Sequence, residues 1–324
     1  MRAQTRRMVT WLGATSLLVG GWLGVAWATS SPTKPRWLAD RGGNAVVLVG
    51  GGHGEIGRFP VTRPVRVAVE PGGDRGVVAS AVADYALGDH EVFWCEPDGT
   101  RLVTWATPAV RDLDVARGVA AWVTIGVAEP ACLCLGRPGG GQSARGLSRL
   151  PTAQSPRSLA FDAAGEHLLV GCEGGRLELW SVGSLTRVNE LVDPGAQWDD
   201  VVPAARGGWF ALDANGGRVV RLDRDLATSW SRVTGLSPAS LTPSASGEDV
   251  WVVDTTQPVV RRLDQTGEIE LTIPDLPLAG FDRSVPTSGD GLFFLAPGAT
   301  LELDRFGDLI GSQGGYRFLV DVAH

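Results

Sequence analysis

A single lysine, Lys34, serves the whole 324-residue chain, beside two tyrosines, two methionines, four histidines and four cysteines. Each scarcity removes a class of chemistry. One lysine in a connecting stretch leaves no Schiff-base nucleophile. His53, His90, His167 and His324 occur singly, whereas a histidine metal centre needs several at matched spacing. H-E-x-x-H, G-x-S-x-G, P-loop and dinucleotide-binding signatures are all missing. So is the C-x-x-C-H of covalent haem. No basic stripe exists: 29 Lys and Arg face 36 Asp and Glu for a net charge of −7, so neither nucleic acid nor an anionic membrane surface is an expected partner. After residue 28 no stretch sustains a 3.6-residue apolar period, which disfavours a helical domain.

The first 28 residues, "MRAQTRRMVTWLGATSLLVGGWLGVAWA", set Arg2, Arg6 and Arg7 before an uncharged apolar run with small residues at Ala26 and Ala28. This pattern reads as a secretory signal cleaved after Ala28. The run is also long enough to span a bilayer, so an uncleaved anchor is the alternative, and membrane association is expected only in that case. Export would place the chain in the periplasm, in the medium or anchored outside the cytoplasm. Without these residues the net charge becomes −10, from 26 basic and 36 acidic side chains. Residues 29–34 read as a linker and 35–324 as one folded domain.

Cys95, Cys132, Cys134 and Cys172 allow three pairings in an oxidising space. Cys132 and Cys134 in "ACLCLG" share one face of a strand, a spacing poorly suited to a mutual disulfide. Small buried side chains are the first expectation for all four. C-x-C without a nearby third and fourth ligand is a weak metal signature.

What is plentiful is Gly (44), Pro (20) and Trp (12), a profile of short strands and tight turns. "PRSLAFDAAGEHLLVGCEGGRLELW" at 156–180 has a weaker counterpart in "PRWLADRGGNAVVLVGGGHGEIGRF" at 35–59. Five further copies begin at Arg63, Ala109, Trp198, Ser237 and Phe281. After the first, the starts lie about 40 to 47 residues apart, the interval of four-stranded propeller blades. Each copy runs from a short strand through a Gly, Asp or Ser turn to a continuous apolar strand, then to an alternating one. The continuous strand should be buried on both faces and the alternating strand on one. The first copy is too short for four strands, and "GYRFLVDVAH" at the end reads as another strand. The expected fold is therefore all-β, a single β-propeller of seven blades with six as the alternative, its ring closed by pairing the N- and C-terminal strands.

Residues 158–181 resemble a WD40 repeat, with Trp180 followed by Ser181 where that family typically has Asp. "WFALDANGGRVVRLD" at 209–223 resembles an NHL repeat through Asp213, Asn215 and Arg218, and 250–264 repeats the shape with Asp254 but has Gln257 and Pro258. These resemblances imply a repeat propeller serving interaction.

Turn carboxylates and amides are the candidate ligands: Glu55, Glu173, Asp213, Asn215 and Asp254. Gathered at a channel mouth they would suit a hard cation such as Ca²⁺. Asp and Asn in such turns more commonly bond their own backbone. The loop "GRPGGGQSARG" at 136–146 lacks the lysine and helix of a phosphate loop. Arg206, Arg221, Arg261 and Arg262 suit rim ion pairs, and the recurrent tryptophans suit packing between blades.

Two functions follow. The first is an exported, non-catalytic module that binds a protein or another macromolecule, with no cofactor; the second is a calcium-dependent lactonase- or hydrolase-like enzyme with a metal at the channel. The missing catalytic motifs favour the first. Seven blades with an apolar channel would support binding, and six with three or more converging carboxylates would support the enzyme.

Overall fold

In the computed structural model, seven four-stranded antiparallel sheets follow one another around a ring. It describes residues 35–323 apart from 51–54, 71–74, 83–87, 127–128, 139–145, 236–237, 255–256, 275, 277–283, 288–290, 297–298 and 315–318. The signal or anchor at 1–28, the linker with Lys34, His53, His324 and most of the 136–146 loop lie outside the described residues. Thr33–His324 forms one compact unit.

Blades II to VII span residues 64–107, 110–151, 156–192, 198–233, 238–273 and 284–314, and each runs from its innermost strand outward. Blade I differs. Its outer three strands are Arg36–Asp40, Ala45–Val49 and Glu55–Pro60, and its innermost strand is Leu319–Ala323 from the far end of the chain. Leu38 pairs with Val322 and Ala39 with Asp321. The seven innermost strands touch in succession, including Leu319–Ala323 against both Pro64–Val69 and Ser284–Pro286, so the ring is closed. Both the blade number and the mode of closure agree with the sequence expectation.

The alignment of the first copy is corrected by one strand. "RWLAD" was matched to "RSLAF", an innermost strand, yet Arg36–Asp40 is the second strand of its blade. Its true counterpart is "WFALD": Asp40, Asp213 and Asp254 each end a second strand. In each case the carboxylate Oδ1 accepts a backbone N–H three residues on, from Gly43, Gly216 and Gln257 at 3.0, 3.1 and 3.0 Å. The three second strands thus end in the same Asp turn, with the carboxylate bonded three residues on.

Second strands such as Val119–Thr124 and Trp209–Asp213 are buried throughout, as continuous apolar strands require. The expectation of one-sided burial for "RLELW" is overturned, because Leu177, Glu178, Leu179 and Trp180 are all buried. Third strands are sandwiched between neighbouring blades. The outermost strand, such as Thr186–Val192, is the one that faces solvent. Glu178 can lie in this interior because Ala153 N–H, Trp180 Nε1–H and Arg187 donate to it at 2.9, 3.1 and 3.0 Å.

Seven apolar clusters fill the seven blade interfaces. Trp94, Trp105 and Trp122 meet between blades II and III, with the Trp105 and Trp122 rings 5.6 Å apart. Gly136 of blade III lies against Trp105, where an added Cβ would come within 2.8 Å of the ring. The strand glycine is thus a packing requirement of its neighbour's indole.

Candidate binding site at the bulged end of the channel

Strands that line a propeller channel are edge strands, with one row of backbone groups unpaired. Aspartates of neighbouring blades satisfy several of them. Leu159 N–H donates to Asp112 Oδ2 at 3.0 Å, Phe161 N–H to Asp114 Oδ2 at 2.9 Å and Leu241 N–H to Asp200 Oδ2 at 2.7 Å. The channel carboxylates therefore latch blade III to IV and blade V to VI. Between them lies a cavity of about 220 Å³ lined by Val67, Leu113, Leu159, Val201, Leu241 and Val285. Asp114, Asp200, Thr242 and Ser284 share its wall with these aliphatic side chains.

Among the described residues five innermost strands carry a β-bulge at the same level: Pro64/Arg66, Val110/Asp112, Pro156/Ser158, Trp198/Asp200 and Pro238/Ser240, with a matching shift at Ala39/Asp40. A bulge re-aims the side chains beside it. At this level blades II, III and IV contribute Arg66, Arg111 and Arg157, and blade V contributes Asp199. Arg157 Nε donates to Asp199 Oδ1 at 2.8 Å and its Nη1 lies 3.6 Å from Glu173. Gln197 holds the other side of Asp199 at 3.0 and 3.1 Å.

Arg66 and Arg111 are different. Among the described residues Arg66 donates to two carbonyls, those of Arg111 and Val65, each at 3.1 Å. The Arg111 side chain is half-buried and makes neither an ion pair nor a hydrogen bond among the described residues. Burial, and then the Arg157 cation beside it, pull its guanidinium below the ordinary value. It stays charged at neutral pH, and Glu173, Asp199 and Asp112 act on it in the opposite sense to Arg157. Such a fork is built for a carboxylate or another planar anion.

The five candidates read from turns are not brought together. Glu55 opens the outermost strand of blade I, at the opposite end of that sheet from Asp40. There Arg58 donates to it twice at 3.0 Å and by that bond holds its carboxyl below the usual pKa. Glu173 sits at the bulged end beside Arg157. Asp213 faces its own turn: burial opposes its ionisation, but N–H donors from Gln197 and Gly216 and the Arg218 guanidinium at 2.8 Å outweigh that and hold the carboxyl low. Asn215 is exposed at the same turn, and Asp254 accepts from Gln257. Among the described residues no three His, Cys, Asp or Glu side chains are grouped to hold a metal ion. Scattered in this way, the donor set does not fit a calcium centre.

The arginines were visible in the aligned copies, as "RPVRVAV", "AVRDLDV" and "SPRSLAF". What hid their convergence was the bulge, which alternation along a strand does not reveal. Arg206 and Arg262 do form ion pairs, with Glu248 and Asp249.

No protein-family profile and no curated protein matches the chain. Solved structures do. A functionally unknown protein from Desulfotomaculum acetoxidans superposes with a TM-score of 0.75 at 12% identity, over 90% of this chain and 98% of that one. Apo AztD from Citrobacter koseri gives 0.65 at 11% identity, over 90% and 97%. The β-propeller domain of Myceliophteria thermophila Cps50 (Swd1) gives 0.63 at 12%, over 84% and 94%. At such identities the likeness establishes the propeller fold and nothing finer.

Proposed function

We propose that this chain is a non-catalytic binding module that receives a carboxylate-bearing segment of a protein partner at the bulged end of its channel. The observation that carries this reading is the pair Arg66 and Arg111: Arg66 donates to the Arg111 backbone carbonyl, and neither guanidinium forms an ion pair among the described residues. The seven-bladed ring and the commitment of Asp112, Asp114 and Asp200 to backbone N–H groups support binding over catalysis. The WD40-like unit at 158–181 and the NHL-like turn at 213–218 support it as well, since repeats of those kinds commonly serve interaction. Export belongs to the same proposal, resting on the basic, apolar and small-residue succession of the first 28 residues. It is checked by the N-terminus of the chain recovered from cells, which is Thr29 if the signal is cleaved after Ala28.

The test compares the wild type with Arg66→Ala/Arg111→Ala as bait against the organism's exported proteins. A partner retained by the wild type, weakened by salt and lost with an equally stable double variant is the expected result. Equal retention by both baits overturns the assignment of the site.

A further inference from the structure

Cys132 and Cys134 open the third strand of blade III, Cys132–Gly136, and point to the same side of it. Their Sγ atoms are 3.6 Å apart. Cys132 is partly exposed at the strand's start, beside the ion pair of Arg149 with Glu129 at 3.2 Å, whereas Cys134 is fully buried behind it. Thr124 braces the outer thiol: its Oγ1 accepts the Cys132 N–H at 3.0 Å and lies 3.6 Å from Cys132 Sγ. Two sulfurs are thus held on a rigid, doubly paired strand, with one of them open to solvent.

The separation of the sulfurs selects among ions. With metal–sulfur bonds of about 2.3 Å, sulfurs 3.6 Å apart subtend an angle of roughly 100° at the metal. That is close to the tetrahedral angle and far from the linear arrangement of a two-coordinate ion. The geometry points to a new site: we propose that Cys132 and Cys134 chelate a thiophilic divalent cation of tetrahedral preference, zinc-like or cadmium-like. Two coordination positions remain for water or for a donor from another molecule.

Binding joins the metal to both sulfurs as thiolates and releases to solvent the proton of any sulfur still protonated.

Cd²⁺ is the probe, added to the full chain with its thiols reduced. We expect one ion per chain, a thiolate-to-cadmium absorption band in the ultraviolet, and at least tenfold slower iodoacetamide alkylation of Cys132 once the ion is bound. Cys132→Ser and Cys134→Ser should each abolish the band, while Cys95→Ser and Cys172→Ser leave it intact. The alkylation measurement needs no variant, so it stands even if a substitution disturbs folding. Unprotected Cys132, a band that survives loss of either thiol, or a Cys132–Cys134 disulfide in the chain as isolated from cells would each overturn the proposal.

Discussion

The interface between blades II and III holds Trp94, Trp105 and Trp122, whereas that between blades VII and I holds no tryptophan among the described residues and is bridged by Arg36 and Glu302. Arg36 donates to both carboxylate oxygens, at 3.1 and 3.3 Å, with its guanidinium 4.2 Å from the Phe293 ring centre. Both partners are buried. The first interface joins blades built from neighbouring sequence, and large interlocking rings give it bulk apolar burial. The second joins the two ends of the propeller. A bidentate pair adds little net energy once desolvation is counted, but it dictates which residues meet. The difference suggests a division of labour between adhesion inside the ring and registration at its seam.

Replacing Trp122 by alanine should have the largest effect. It removes the ring contact with Trp105 and the 2.9 Å bond to Thr107 Oγ1, costing about 4 kcal/mol for a buried large-to-small change. Urea unfolding measures it, and a loss below that of Glu302→Ala would break the comparison. Glu302→Ala strands the Arg36 cation in the interior and should cost about 3 kcal/mol. Arg36→Met combined with Glu302→Leu should return stability to within about 1 kcal/mol of wild type, because neither charge is then buried alone. If the double variant stays as unstable as Glu302→Ala, the seam depends on the pair's energy and not its geometry.

The seam was legible in outline from a first copy too short for four strands and a strand-like end. Its chemistry was not, since Arg36 and Glu302 are separated by most of the chain and no local pattern links them. The first copy was placed one strand too far inward because a buried second strand and a buried first strand share the same apolar look. The Asp that ends "RWLAD", "WFALD" and "VWVVD" does not discriminate by itself, because Asp162 follows the innermost strand of blade IV; what sets the three apart is the bond to the N–H three residues on. Glu178 misled for a related reason: alternation predicts an outward carboxylate, and three donors from 9 or more positions away or from its own strand keep it inside. Of the site, the arginines were in plain view but the bulges that bring them level were not. The facing of Cys132 and Cys134 followed from strand alternation, while their 3.6 Å approach depends on side-chain rotation.

Closure by Leu319–Ala323 also sets a schedule. Blade I is synthesised first, yet its innermost strand emerges only after the other six blades have been made. Until then Arg36–Asp40 offers a bare strand edge that any passing strand could occupy. The nascent chain therefore has to guard its earliest sheet until its last strand arrives, and that interval is when it is most exposed to mispairing.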